Sequence, residues 1–462
     1  MTKADIFYKD IGDYLSREEK LKLVKEAESI LNPTLEMTQI KPNEHGDWIS
    51  MRNSKFDEFI PLAPEQKFDS KTQSFFVTQS LGTLTARDAW TYNFSKKELK
   101  ENINKTIAYY NEQLALFTTG KIKKLKYDST KGSWSGIWLK QLQQRENILE
   151  NESGYRLALH RPFTKQNTYF SKELNDRTYR LFHFFPSREH KNIIICIAEK
   201  SLVAFSAFIS NHISDYGFLK GGNGSTQCFP LYWYEKKDKV QGGLFEKAED
   251  EYIRHDAISD FILEQAKTRY GPKVTKEDIF YYVYGILHSS DYRKTFVNDL
   301  KKMLPRLPLV EKVADFWAFS KAGRNLADIH LNYEEQGPPK EVLINGKPMP
   351  RTPFPASQLI VNKMAFPSKR QKDTIVYNSH LTISNIPAKA YEYIVNGKSA
   401  IEWVMERYTV TTHKESGIGN DPNDWAREHE NPRYILDLLL AVITVSIKTV
   451  DIVEGLPRVE WK

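Results

Sequence analysis

Residues 83–94 read TLTARDAWTYNF, and Arg87, Asp88, Trp90, Tyr92 and Asn93 crowd into seven positions of this apolar-alternating run. A cation, a carboxylate and two large rings this close together either react with a substrate or hold a backbone junction. A reacting cluster needs a nucleophile with its base, or a metal. The chain has no G-x-S-x-G elbow and no H-E-x-x-H pattern. The stretch is therefore expected to hold. Arg87 is read as an ion pair with Asp88 that orders a strand-to-helix junction, with Trp90 and Tyr92 buried around it.

Working outward, short apolar and aromatic runs fill the region from about Ser70 to Tyr234, among them SFFVTQ, RLALHRPF, KNIIICIA and CFPLYWYE. Loops rich in Gly, Ser, Asn and Lys separate them, which is the pattern of an antiparallel sheet region. Inside it, KKELKENINKTIAYYNEQLALF puts Leu99, Ile103, Ile107 and Tyr110 on one helical face. Upstream, SREEKLKLVKEAESIL has Ser16 and Glu19 at capping-box spacing and a stripe of Leu21, Val24, Ala27 and Leu31. That helix has nothing of its own to pack against. Downstream, residues 248–333 read as helical, with Thr275 the N-cap of a helix that runs until Pro305. GPPKEVLINGKPMPRTPFP reads as a linker or inserted hairpin, and AKAYEYIVNGKSAIEWVMERY and NPRYILDLLLAVITVSIKTVDIV as C-terminal helices. The expected fold is mixed α+β, sheet-rich with helical segments and helical towards its C-terminal part.

A length of 462 residues exceeds what one growing core serves, so two or three domains are expected. With 40% hydrophobic and 27% charged residues the chain reads as soluble and globular, and the net charge of +7 suits a polyanion such as nucleic acid. The two cysteines, Cys196 and Cys228, stand outside any C-x-x-C and away from histidines at ligand spacing. They read as buried thiols in a reducing compartment, with no metal site expected. No secretion signal is visible and no apolar run reaches 18 residues, so a cytoplasmic protein without a membrane partner is expected.

Several motifs fall short of a chemistry. NGKSA at 396–400 resembles the end of a phosphate loop, but Glu392 stands where its first glycine belongs, so Ser399 reads as a helix N-cap. Asp451, Glu460 and Lys462 have a loose metal-nuclease spacing, which leaves a nuclease as one alternative. GGNGSTQ at 221–227 lacks the dinucleotide pattern. Its glycines allow close backbone approach, and Asn223 and Gln227 carry the amide fork that pairs with adenine in a groove. Two basic stretches, one with Lys123, Lys124 and Lys131, the other with Arg161, Lys165 and Arg177 among aromatics, suit phosphate contacts.

FFVTQSLGTLTARDAWTYNFSKKEL, YRLALHRPFTKQNTYF, TQCFPLYWYE, DIFYYVYGILHSSDYRKTFVNDLKKMLPRLPL, AGRNLADIHLNYE and AYEYIVNGKSAIEWVMERYTVTTHKESGIGNDPNDW together resemble the C-terminal part of single-chain type ISP restriction-modification enzymes. The resemblance implies that residues 1–65 are the tail of a methyltransferase domain, 66–335 a target recognition domain, and 336–462 its helical C-terminal part. It implies double-stranded DNA as partner, and an adenine-N6 methyltransferase and translocase portion of the same system beside it. The parent enzyme would use S-adenosylmethionine, ATP and Mg²⁺. The N-P-P-Y loop, the cofactor glycine motif and the helicase and nuclease motifs are missing from this sequence, so no cofactor and no catalytic residue are expected in this chain. A non-catalytic module that binds another subunit through residues 16–31 is the other alternative.

Overall fold

The computed structural model describes residues 4–12, 15–64, 73–122, 125, 127–199, 203–219, 224–237, 251–348, 354–459 and 461. One four-stranded sheet has the spatial order Ile213–Ser214, Tyr155–Arg161, Thr164–Tyr169, Tyr92–Asn93. Its two long strands form a hairpin with Leu157 opposite Asn167, and the register shifts between Leu159 and Arg161. Phe163 turns this hairpin with φ at 57°. A bulky residue rarely adopts that region, and the burial of its ring edge-on against Phe208 and Tyr333, at 5.1 and 5.4 Å, offsets the backbone cost.

The second sheet has the order Ser80–Leu81, Ser225–Pro230, Ile194–Glu199, Ala207–Ser210 and is antiparallel throughout. Alternate residues of its central strands enter different cores: Ile195, Ile197 and Phe229 pack on one side, Ile194, Cys196 and Cys228 on the other. Burial on both faces is why NIIICIA is continuously apolar instead of alternating. Cys196 and Cys228 lie directly opposite each other in the register as free buried thiols, their Sγ atoms 3.8 Å apart.

Against one face of this sheet, helix Lys276–His288 packs on helix Val313–Leu331. The backbones touch: a Cβ on Gly323 would stand 1.9 Å from the Tyr281 carbonyl, and one on Gly285 2.2 Å from that of Phe319. Thr275 caps the first helix, as its sequence implies. That helix ends at His288, however, and does not run on to Pro305. Ser289 closes it and caps the next, its hydroxyl accepting from the Tyr292 amide, so Ser290–Thr295 and Val297–Lys302 are separate helices.

The C-terminal region is helical mainly at Tyr434–Glu454, and a largest core joins it to both sheets. Only Ala400–Arg407 of the preceding segment is α-helical. Asn396 and Gly397, at φ 50° and 82°, turn a hairpin between Ile394–Val395 and Lys398–Ser399. Ser399 is the helix N-cap, in a capping box with Glu402. INGK in the expected linker is likewise a turn, and Leu343–Ile344 pairs with Thr382–Ser384. Near the N-terminus, Arg17–Ala27 has its capping box at Ser16 and buries no residue. No helix among the described residues is long and apolar enough to cross a membrane.

The opening stretch becomes a short helix, Asp88–Thr91, followed by strand Tyr92–Asn93. The expected Arg87–Asp88 pair is not formed. The Arg87 guanidinium is 1% exposed and lies 4.1 Å from the ring centre of Trp138. It donates to the carbonyls of Ser133 and Leu174 and, at 2.8 Å, to the Ser135 hydroxyl. Asp88 instead accepts from the Thr85 hydroxyl. Adjacent side chains leave a helix start in different directions, and the fork of Arg87 reaches carbonyls that only a multi-donor group can satisfy together. Trp90 and Tyr92 are buried, as expected.

Arg87→Ala strands buried carbonyls without donors and should cost about 3–5 kcal/mol in urea unfolding. Arg87→Lys should recover less than half of that, because one ammonium does not span both carbonyls. His330 accepts from the Tyr284 hydroxyl at Nδ1 and faces Thr449 Oγ1 at 2.9 Å through Nε2. The Thr449 hydroxyl is committed to the Val445 carbonyl, which fixes the neutral ring with its hydrogen on Nε2. Burial, with Arg293 nearby, pushes the His330 pKa from 6.5 down to about 3. Below the ordinary value the unfolded chain takes up a proton that the native ring refuses, so stability falls as pH drops. The expected slope is about 1.4 kcal/mol per pH unit from this group, and His330→Gln should remove it from the pH dependence of unfolding.

Candidate functional site

Of the opening stretch, the signature of this chain, residues 86–90 line two adjoining clefts that share Trp90. One, of about 600 Å³, runs between helix Lys96–Thr118 and the hairpin of Thr411–Thr412 and Gly419–Asn420, with Asn102, Lys105, Lys131 and Ser416 on its walls. The other, of about 590 Å³, is walled by Tyr127, Trp134, His413 and Glu415. Both have the size of a small-ligand site, yet apart from helix Lys96–Thr118 their walls come largely from loops and turns, with Tyr127 60% exposed. Such walls, of aromatic, amide and charged side chains, suit contact with an extended polar partner.

Beside them, Asp88, His160 and Asp215 bring one ligand atom each to within 4.8 Å of one another. His160 Nε2 is 3.6 Å from Asp88 Oδ2, and Arg161 Nη1 is 2.7 Å from Asp215 Oδ1, which also accepts from the Gly217 amide at 2.7 Å. Burial pushes the Asp215 carboxyl up, the Asp88 charge adding to it. At Asp88 desolvation is outweighed by His160 and the Thr85 hydroxyl, which hold its carboxyl down at about 2. The Tyr92 ring lies 4.6 Å from that of His160, the two planes tilted by 35°, and its buried hydroxyl has no hydrogen bond. Sequence reading missed His160 and Asp215. They are far apart along the chain, and the only signal was that His160 precedes the already suspected Arg161.

The suspected DNA contacts divide. Lys131 and Arg177 stand in solvent, 3.9 and 4.0 Å from Asp128 and Asp176. Arg161 and Lys165 do not face outward as expected. Each is mostly buried and paired, Arg161 with Asp215 and Lys165 with Glu334, because the hairpin that carries them packs into the core. Gln227 is also displaced from its expected loop. It sits on the buried strand Ser225–Pro230, and its amide donates to Gln79 Oε1 at 2.6 Å. Lys123, Lys124 and Asn223 lie outside the described residues, as do Glu460 and Lys462 of the nuclease pattern. Asp451 is on helix Tyr434–Glu454, bound at 2.6 Å by Lys389, and so is engaged in a surface ion pair. A basic cleft of about 380 Å³ went unnoticed in the sequence: Lys96, Arg156 and Arg188 line it with Asn167 and Asn211.

No curated protein sequence matches the chain. Among solved structures it is similar to the ATP-dependent Type ISP restriction-modification enzyme LlaBIII bound to DNA, with 35% identity and a TM-score of 0.84 over 99% of this chain and 28% of that one. It is similar also to a nuclease-deletion mutant of the Type ISP enzyme LlaGI in complex with a DNA substrate mimic, with 36% identity and a TM-score of 0.81 over 98% of this chain and 33% of that one. A DrdV–DNA complex matches at 25% identity and a TM-score of 0.77, over 98% and 43%. The chain thus spans about a third of the length of the enzymes it matches. Residues 74–438 match the Type ISP C-terminal specificity domain, and with them the resemblance read from the signature strings becomes membership: the chain belongs to that family.

Proposed function

We propose that this chain provides sequence-specific recognition of double-stranded DNA for a Type ISP restriction-modification system, presenting a target adenine to an N6-adenine methyltransferase. The observation that carries the reading is the family match over 74–438, joined to a nearly full-length likeness to enzymes solved with DNA. Residues 1–65 would be the methyltransferase tail, 66–335 the target recognition domain and 336–462 its C-terminal part. S-adenosylmethionine, ATP and Mg²⁺ would be bound by other portions of the system, and the setting would be cytoplasmic.

In this reading Lys131 and Arg177, both solvent-facing, set register on phosphates, with the Lys96–Arg156–Arg188 cleft as a further anionic contact. Asn223 remains the base-reading candidate, whereas the buried Gln227 does not. Binding of the chain to duplex DNA should weaken with salt, log K falling by about 0.9 per phosphate neutralised. Lys131→Ala with Arg177→Ala should weaken specific and random duplexes alike and lower that slope by about one per residue. Asn223→Ala should instead relax preference at one base pair, by about 1–3 kcal/mol, in selection from a randomised duplex library. Salt-independent binding, or none, would overturn the function; losses confined to one sequence would reassign the lysine and arginine.

A further inference from the structure

We infer that Asp88, His160 and Asp215 form a divalent-cation site of the Zn²⁺ or Mn²⁺ class, which pins the signature helix to the hairpin strand and to the turn after Ser214. Two carboxylates and one imidazole are a mixed O/N donor set that suits such ions better than Mg²⁺, which favours oxygen alone. The donor atoms already lie within 4.8 Å of one another. A single ion about 2.1 Å from each needs separations of roughly 3–4 Å. Asp88 supplies the remaining movement, because its side chain is half exposed while His160 and Asp215 are largely enclosed.

The orphaned groups point the same way. His160 Nε2 is buried and makes no hydrogen bond, Asp88 Oδ2 standing 3.6 Å away. Tyr92, 3% exposed, carries a hydroxyl that also has none, and the carboxylates of Asp215 and Asp88 are the charges that act on it most strongly. A buried hydroxyl that stands near carboxylates and makes no hydrogen bond marks room for one more group in the network. An ion with a bound water would fill it, the water donating to or accepting from Tyr92. Arg161 is no obstacle: it and the Gly217 amide both donate to Asp215 Oδ1, which leaves Oδ2 for the ion. In that position Arg161 is the outer partner that fixes the carboxylate's orientation. Two carboxylates against one arginine leave a net negative charge for the cation.

The test uses the full 462-residue chain, stripped with a chelator and titrated with MnCl₂ and, separately, with ZnCl₂. Bound Mn²⁺ is counted by loss of its free EPR signal, and the thermal midpoint is followed in parallel. One ion per chain is expected for at least one metal, with the midpoint rising by about 3–6 °C at saturation. Asp88→Asn should weaken binding at least about tenfold and abolish the rise. His160→Gln should do the same. If that buried substitution unfolds the chain, the half-exposed Asp88→Asn decides alone. No binding of either ion at millimolar concentration, or binding and a midpoint shift unchanged in Asp88→Asn, would overturn the inference.

Discussion

The buried guanidinium of Arg87 is the constraint on which the surroundings of the opening stretch are assembled. It is a full charge held away from water, and burial pushes its pKa down to about 9, with the charge of Asp176 acting the other way. At neutral pH the group keeps its charge, its donors meeting the Ser133 and Leu174 carbonyls and its central carbon lying 4.1 Å from the Trp138 ring centre. Those contacts bring together the signature helix, the loop before Gly136–Gln144 and the loop after Thr164–Tyr169. Strand Tyr92–Asn93 joins its sheet directly after this junction, so the sheet edge inherits its position from Arg87.

Much of the fold was legible because local rules coincide with the final packing. Ser16, Thr275 and Ser399 are N-caps in capping boxes, and the stripe Leu99, Ile103, Ile107, Tyr110 is buried. The sequence misled where a short-range competitor outweighed helical periodicity. Ser289 offered the backbone a cap in mid-helix, and Asn396-Gly397 offered a tight turn. Periodicity reports which side of a segment is apolar and is silent on whether the segment is interrupted.

The functional groups were harder to read for a different reason. Whether an arginine faces a phosphate or a carboxylate depends on residues remote in sequence: Arg161 meets Asp215 and Lys165 meets Glu334. Composition flagged both as cations and gave no hint of those partners. The Arg87–Asp88 pair failed likewise, since neighbours in sequence are not neighbours in side-chain space once a helix begins between them. The family resemblance, by contrast, rested on strings whose order survives such details.

The contact of Gly285 with Phe319 and of Gly323 with Tyr281 sets a length scale for the molecule. Two helices that meet backbone to backbone have no side-chain cushion between them, so their spacing is fixed by peptide atoms and does not drift with the identity of neighbouring residues. A sheet resting on that pair receives a foundation with a set thickness. Loops on the far side can then change sequence or length while the strands that carry them keep their coordinates, which is what a scaffold needs if its readers are to be exchangeable.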